Sequence, residues 1–347
     1  MKLTSKHTAL WVLGSGLLAL ASCTMMEDDR TDCPDCRNPL RVSLRYDYNT
    51  ARANMFCDHV QQATAYVVDA QTGIVVEQQT TQNTATAFPT DGRLPVAFQP
   101  LRNPSFAFNF EGLAPGRYRL YATGRSAADQ PLLMTAPKEG EPISKLQFAL
   151  PTDGEGQVPA LRLDTVWNTL KPVDIEVPER EPAEATVPLM RLTNDLSIIL
   201  FRRDTPSDIC HEQYEVTVSD SVGYHPFAQW TTETLTNGGT LAERHAHYDL
   251  SLGRLVSHDD ARRNARLIIR NRATGHEVTD IDLCYHLALA RNAYEYQHYG
   301  IQEYLDREYD YRLDFGLEGT GDHETWRYMT IHIGVLSWAL RIQNEEL

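Results

Sequence analysis

Short runs of alternating apolar and polar residues recur from one end of the chain to the other. Leu40–Tyr48 is the first clear run, Tyr214–Val218 lies near the middle, and Tyr309–Phe315 lies near the end. Successive side chains of a β-strand point to opposite faces, so this alternation predicts strands that bury one face. Turn residues, such as Gly73 and the stretch Gly112–Gly116, separate the runs. Many short strands with little helix predict an all-β chain built of antiparallel sandwiches.

The turn residues also predict which strands are neighbours. Thr64–Asp69 and Ile74–Val76 flank a short loop that contains glycine, which predicts an antiparallel hairpin. Phe106–Phe110 and Tyr118–Ala122 flank a second turn of this kind, and we expect a hairpin there as well. Asn194–Asp195 is predicted as the turn between the next two strands.

A chain of 347 residues is long enough for two domains, each with its own core. The polar, proline-containing stretch Val173–Pro182 predicts the junction between them. We therefore expect an N-terminal sandwich over residues 39–182 and a C-terminal sandwich over residues 183–347. Ile301–Glu308 is predicted as a short helix because it contains several good helix formers. The apolar block Trp326–Ile342 is predicted as two strands.

Residues 1–22 have the features of an export signal. A basic start precedes an apolar run at 9–21, which is too short to span a bilayer as a helix. Leu20-Ala21-Ser22-Cys23 then resembles the lipobox of bacterial lipoproteins. This resemblance implies cleavage between Ser22 and Cys23 and attachment of lipid through the thiol of Cys23, with no other cofactor. The alternative is an ordinary secretory signal followed by an incidental cysteine.

Residues 23–38 are polar and are predicted to form an acidic, lipidated tether. Glu27-Asp28-Asp29 resembles the signal that sends some Gram-negative lipoproteins to the outer face of the outer membrane. A solvated tether would carry the same acids for solubility alone. We expect the protein to be lipid-anchored at the outer membrane and exposed on the cell surface.

The charge of the chain excludes one class of partner. Aspartate and glutamate number 47 against 32 lysines and arginines, which gives a formal net charge of −15. An acidic surface repels nucleic acid, and no basic stripe opposes this. We therefore expect no nucleic-acid partner.

Cysteines other than Cys23 offer alternatives that the sequence leaves open. Cys210 and Cys284 could form a disulfide, since they are the only two in the second half of the chain. Cys33 or Cys36 could bridge to Cys57 and join the tether to the first strand region. With a nearby histidine these three could instead bind zinc, although their spacing matches no recognised zinc module.

The sequence contains none of the motifs of common enzyme classes. A nucleophile elbow, a P-loop, a dinucleotide fingerprint and a zinc-protease helix are all missing from it. His245 and His247 share one face of a predicted strand, but two histidines without a third ligand are most often surface residues. The acids at His258–Asp260 and Asp280–Asp282 are typical of loops and turns. We expect no catalytic residue, no metal site and no enzymatic activity.

A set of short motifs in a fixed order is similar to one family. The motifs are Asp32-Cys33-Pro34, Tyr46-Asp47-Tyr48-Asn49, Ala65-Tyr66-Val67-Val68-Asp69, Leu113-Ala114-Pro115-Gly116-x-Tyr118, Asp164-Thr165-Val166-Trp167, Leu192-Thr193-Asn194-Asp195 and Ile333-Gly334-Val335-Leu336-Ser337-Trp338. Together with the lipobox they resemble the fimbrillin-associated anchor family, lipoproteins that hold type V fimbriae of Bacteroidales on the outer membrane. The resemblance covers nearly the whole mature chain.

This resemblance implies two tandem transthyretin-like sandwiches and a role at the base of a fibre. It implies donor-strand exchange with a stalk fimbrillin subunit, in which an extended segment of one subunit completes the sheet of the next. Stalk subunits of this system are trimmed at an arginine, and a cut at Arg30 or Arg37 of the tether would release the lipid. The alternatives are a tip or accessory subunit of the same fold, or a surface lipoprotein that binds glycan through exposed aromatic side chains.

Overall fold

The structure is a computed structural model. It describes residues 39–84, 98–126, 133–158, 163–179, 181–202, 208–221, 224–227, 229–237, 240–293, 296–333 and 339–343. The predicted signal peptide and tether lie outside the described residues, and with them Ser22, Cys23, Arg30, Cys33, Cys36 and Arg37. The predictions made for these residues therefore stay predictions.

Strands dominate the described residues, which confirms the predicted all-β class. The strands of the first half are β1 Leu40–Arg45, β2 Gln62–Asp69, β3 Val75–Gln82, β4 Phe108–Phe110, β5 Gly116–Arg125, β6 Leu133–Thr135, β7 Gln147–Ala149, β8 Val166–Thr169, β9 Val173–Val177 and β10 Ala183–Arg191. Those of the second half are β11 Thr193–Arg202, β12 Tyr214–Ser219, β13 Tyr224–Pro226, β14 Gln229–Asn237, β15 Thr240–Gly253, β16 Arg266–Asn271, β17 Glu277–Asp282, β18 Asp310–Glu318, β19 Thr325–Ile333 and β20 Ala339–Gln343. The α-helices are α1 Phe56–His59, α2 Leu283–Ala288 and α3 Ile301–Arg307.

The first half forms an eight-stranded sheet in the order β3-β2-β5-β8-β10-β1-β4, with β9 beside β5. The predicted hairpin of β2 and β3 is confirmed, since the two strands pair antiparallel. The predicted hairpin of β4 and β5 is wrong. β4 pairs with β1, whereas β5 pairs with β2, β8 and β9. The connection that contains Pro115 therefore links separate parts of the sheet, and the Tyr118 hydroxyl donates to Ala114 O at 2.7 Å across it.

Strand β10 corrects the predicted boundary at residues 182 and 183. Its residues 183–188 pair with β1 and its residues 189–191 pair with β8, so it joins two parts of the first sheet. Val187 and Leu189 are fully buried in the core of that half. The boundary between the halves therefore lies after Arg191. The predicted junction Val173–Pro182 is also wrong in part, because β9 lies within it and pairs with β5.

The second half contains two further sheets. Six strands follow the order β14-β15-β11-β18-β19-β20, and four follow the order β13-β12-β16-β17. Asn194 and Asp195 were predicted as a turn but lie inside β11, which runs in a different sheet from β10. β16 and β17 pair antiparallel, and β19 pairs antiparallel with β20 as two strands, as predicted for Trp326–Ile342.

The helices of the second half include one that the sequence analysis missed. The predicted helix at Ile301–Glu308 is confirmed as α3. Helix α2 directly follows β17, and the Asp282 carboxylate caps it by accepting from Tyr285 N–H at 2.8 Å. Leu283, Cys284 and Leu287 of α2 are buried.

Two separate apolar cores correspond to the two halves. The first extends from Leu40 to Leu189, and the second from Leu196 to Ile331. Most described tyrosines are buried; Tyr46, Tyr66, Tyr304 and Tyr311 are among the largest fully buried side chains. The number of independent domains and the transthyretin-like fold remain predictions from the family resemblance.

Candidate assembly edges and the contact between the halves

The loop after β1 contacts the segment around α3, and this joins the first half to the second. Thr50 N–H donates to Arg307 O at 3.2 Å. Arg52 has a positive φ of 53°, a conformation that is uncommon for a residue with a Cβ atom. Its Nε donates to the Tyr299 hydroxyl at 2.8 Å, and its guanidinium also contacts His298. The contact across the halves therefore holds a strained backbone in place.

Cations over aromatic rings add to this contact. The guanidinium of Arg307 lies 4.1 Å from the ring centre of Tyr48 and 4.8 Å from that of Tyr299. The guanidinium of Arg191, at the end of β10, lies 4.3 Å from the ring centre of Tyr309. Such pairs are worth about 0.5–1 kcal/mol when exposed and more when desolvated. Two of the three pairs cross from one half to the other.

Glu308 places a carboxylate inside this contact. It is almost fully buried. Its carboxylate accepts from Tyr309 N–H at 2.9 Å and Asp310 N–H at 3.2 Å, and the Thr50 hydroxyl donates to it at 3.4 Å. Burial raises the pKa of Glu308 above its ordinary value, against these hydrogen bonds. The halves are thus joined partly through a group whose charge depends on pH.

Six strands lie at the ends of the three larger sheets, and a partner strand could pair with such an edge. Among the described residues β9 is a seventh strand with one paired neighbour, β5. In the first half, loops cover β3 at its start, where Val75 N–H donates to Glu141 O at 2.9 Å and Gly140 N–H donates to Val75 O at 2.8 Å. Just after its end, Thr84 N–H donates to Phe98 O. The Gln79 side chain also donates to Asn109 O of β4 at 2.8 Å.

Four of the other edges are short or irregular. β4 and β13 each contain three residues. The pairing of β14 with β15 shifts register between Leu235 and Asn237, and that of β16 with β17 shifts between Ile269 and Arg270. Short edge strands and β-bulges are two ways in which proteins discourage pairing with another chain.

Strand β20 has neither protection. It has five residues, and its ladder with β19 runs from Tyr328–Gln343 to His332–Ala339 without a shift. Within the described residues no further strand pairs with it. Its sequence, Ala-Leu-Arg-Ile-Gln, contains no proline or lysine. Among these six end strands, β20 therefore combines a regular ladder with an outer edge along which no described strand pairs.

The disulfide predicted between Cys210 and Cys284 is not formed. Both are free thiols, as is Cys57. Cys284 is buried in α2, and its Sγ donates to Val256 O at 3.6 Å. Cys210 instead precedes a 3-10 turn at His211–Gln213, and its N–H donates to the Gln213 side-chain oxygen at 3.1 Å. Burial raises the pKa of the Cys284 thiol to about 11, so this thiol is protonated at neutral pH.

The histidines and acids considered for metal binding or catalysis form ion pairs and ring contacts within the fold. His247 lies 3.0 Å from the Asp249 carboxylate, and the His245 ring stacks on Phe201. Asp280 pairs with Arg266 at 2.6 Å. Of the acids near His258, Asp260 binds Arg262. Within the described ranges no group of three or more His, Cys, Asp or Glu side chains is arranged to hold a metal ion.

Comparison with known proteins connects this fold to a family. A family model of the fimbrillin-A associated anchor proteins Mfa1 and Mfa2 matches residues 30–344. The chain belongs to this family. A comparison with curated proteins gives no match. Membership gives the chain a fimbrial anchor or accessory role at the cell surface, and it agrees with the prediction that the protein is not an enzyme.

Several solved structures share the fold of this family member. A candidate adhesin from Bacteroides thetaiotaomicron has a TM-score of 0.71 and 21% identity, covering 90% of this chain and 100% of that one. Candidate polysaccharide binding proteins from the same species have a TM-score of 0.68 and 21% identity, covering 89% of this chain and 100% of theirs. The fimbrial anchor protein Mfa2 from Porphyromonas gingivalis has a TM-score of 0.60 and 15% identity, covering 88% of this chain and 99% of that one. At these identities the likeness shows the fold alone.

The described part of this family member contains no helix that is both long enough and apolar enough to cross a membrane.

Proposed function

We propose that the protein is the lipid-anchored base subunit of a type V fimbria on the outer membrane. The match to the anchor family over residues 30–344 carries this proposal. The sequence Leu20-Ala21-Ser22-Cys23 supplies the expected lipidation site. Two or three acyl chains on Cys23 would hold the protein firmly, since each buried methylene contributes about 0.8 kcal/mol.

A stalk subunit is proposed to join by adding an extended strand along the outer edge of β20. Strand addition uses a row of main-chain hydrogen bonds for affinity and alternate side chains for specificity. β20 suits this role because its pairing with β19 is regular and, in the part of the chain that the structure describes, no strand pairs along its outer edge. Joining here would end the fibre at this subunit and limit its growth toward the membrane.

The lipid part of the proposal is tested by Cys23→Ser in cells that assemble the fibre. We expect the protein to leave the membrane fraction and fibres to be shed into the medium. Cys57→Ser is the matched control, because Cys57 is another free and partly exposed thiol. Unchanged membrane retention of the Cys23→Ser protein would contradict the anchor role. Retention lost while fibres stay on the cell would favour an accessory or tip position.

The strand-addition part is tested by proline scanning of β20. Leu340→Pro and Arg341→Pro are adjacent, so one of them removes the N–H that faces a new strand and the other the N–H that faces β19. We expect the variant that removes the N–H facing a new strand to stay folded but to lose copurification with the stalk subunit. Thr231→Pro and Thr232→Pro in β14 form the matched pair on the opposite edge. Full copurification in both β20 variants would exclude this edge.

A further inference from the structure

Trp230 is an inward-facing aromatic residue that the core leaves uncovered. It lies on β14 directly opposite Tyr248 of β15, and Thr232 lies opposite Ala246. Residues directly opposite in a pair of strands share one face of the sheet. Tyr248 and Ala246 are buried in the second core, yet Trp230 is 47% exposed. The facing four-stranded sheet therefore does not extend over Trp230, and the mouth of this half stays open there.

A cleft of about 360 Å³ occupies this mouth. Its floor is formed by Phe227 and Tyr248, whose rings meet edge to face at 5.9 Å, and Trp230 forms one wall. The imidazole of His211 lies 6.3 Å from the indole ring of Trp230. The Tyr248 hydroxyl donates to His211 O at 2.8 Å and so fixes the 3-10 turn beside the cleft. The volume lies in the range of small-molecule sites. We call this the Trp230 cleft.

Polar groups line the opposite side of the Trp230 cleft. Glu212 is largely exposed and lies 3.2 Å from His211. Glu215 is half-exposed and lies 3.9 Å from Arg270. Arg272 donates through Nε to Tyr214 O at 3.2 Å, which positions its guanidinium at the cleft. The site thus combines an open aromatic face with carboxylate acceptors and guanidinium donors.

We propose that the Trp230 cleft binds one pyranose unit of a neutral glycan. The apolar C–H face of a sugar ring stacks on an indole, and its hydroxyls bond carboxylates and guanidinium groups at the edge of the ring. Two carboxylates face one guanidinium here, and the whole chain carries a net charge of −15, so anionic sugars and phosphates are disfavoured. A purely apolar side chain of a partner peptide could cover the aromatic face but would make no hydrogen bond with these charged groups.

The Trp230 cleft is separate from the edge proposed for fibre assembly. β14 and β20 form opposite ends of the six-stranded sheet. Sugar binding at β14 would therefore leave β20 free for a stalk subunit. This gives the base subunit a second, independent contact outside the fibre.

The test uses the full mature chain in detergent micelles and saturation-transfer difference NMR. The probes are the methyl pyranosides of glucose, galactose, mannose and N-acetylglucosamine, with methyl N-acetylneuraminoside as the anionic comparison. We expect saturation transfer to at least one neutral probe and none to the anionic one. Trp230→Ala should weaken binding roughly five- to tenfold, the scale of one aromatic stacking contact, while Trp230→Tyr keeps part of it. Tyr285→Ala is the control, because Tyr285 is an exposed ring that does not line the cleft.

Three results would overturn the proposal. They are no transfer to any neutral pyranoside, equal binding in Trp230→Ala, and stronger transfer to the anionic sugar. Membrane retention and stalk copurification are measured in the same variants. If Trp230→Ala loses copurification with the stalk subunit, the cleft holds a peptide segment and the glycan assignment is wrong. Failure of Cys23→Ser or of the β20 variants to behave as expected affects only the anchor proposal.

Discussion

Strand β3 of the first half is covered by loops at both ends, whereas β20 of the second half pairs with one neighbour along a regular ladder. The first half also joins eight of its ten strands into one sheet through β10, with β6 and β7 paired separately, while the second half has one sheet of six strands and one of four. Protected edges suit a unit that must not pair with other chains. An open regular edge and an open mouth at Trp230 suit a unit that receives partners. The two contacts proposed for this protein, at β20 and at the Trp230 cleft, therefore both lie in the second half.

The strongest way to break this comparison is to remove β10 from the first half. A fragment of residues 39–182 lacks it, so β1 and β4 lose their connection to β8 and the rest of the sheet. We expect this fragment to be unfolded and a fragment of residues 39–191 to unfold cooperatively. Circular dichroism during thermal unfolding distinguishes the two. Equal, cooperative unfolding of both fragments would restore the boundary predicted from sequence.

A matched control separates the loss of β10 from the loss of chain length. Val187 is fully buried, whereas Glu184 of the same strand is exposed. In the 39–191 fragment, Val187→Ala should lower the free energy of unfolding by about 1–3 kcal/mol through lost burial and packing. Glu184→Ala should change it by less than about 0.5 kcal/mol.

A second prediction concerns the buried charge network of the second half. The Glu324 carboxylate is fully buried; it accepts from Arg202 at 2.8 Å, from the Tyr214 hydroxyl at 2.6 Å and from Asn271 at 2.7 Å. Glu324→Ala leaves Arg202 without this partner, and breaking a buried pair costs about 3–5 kcal/mol. We expect a loss of this size in the free energy of unfolding by urea.

The first half offers the control for this network. Arg119 and Asp174 form an exposed pair at 2.6 Å. Exposed pairs contribute about 0–1 kcal/mol because solvent and salt screen them, so Asp174→Ala should have a small effect. A loss in Glu324→Ala no larger than in Asp174→Ala would show that the network is not a stabilising feature of the second half.

The sequence predicted individual strands well because alternation is a local property. It failed where the result depends on which strands meet in space. The alternation at Phe106–Phe110 and Tyr118–Ala122 was correct, but nothing in it indicates that the two strands lie in different parts of the sheet. Val173, Ile175 and Val177 also alternate with polar residues, as in a strand, but the nearby prolines favour a junction between domains.

The candidate sites show the same division between local and spatial information. Helix α2 carried a readable signal, since Asp282 is a favoured N-cap residue and Leu283 and Leu287 are spaced by one helical turn. The uncovered edge of β20 could not be predicted, because it depends on the position of every other strand. Any of the aromatic residues could be a sugar platform from its sequence position alone, and only the packing of β14 distinguishes Trp230 from the buried tyrosines.

The third prediction sharpens how the two halves are joined. Burial raises the pKa of Glu308 above its ordinary value of 4.5, so the folded protein binds this proton more tightly than the unfolded chain. The contribution of Glu308 to stability is therefore fully present below about pH 4.5, and it is lost as the pH rises through the higher folded pKa.

Glu308→Gln replaces the carboxylate with an amide, which cannot ionise and whose oxygen can still accept from Tyr309 N–H and Asp310 N–H. We expect this variant to be at least as stable as the natural protein at pH 7 and to lose its advantage at pH 4. Urea unfolding midpoints from pH 4 to pH 8 measure the difference, with Glu303→Gln in the preceding helix α3 as the control. A constant difference across this range would show that the contact between the halves does not depend on the proton of Glu308.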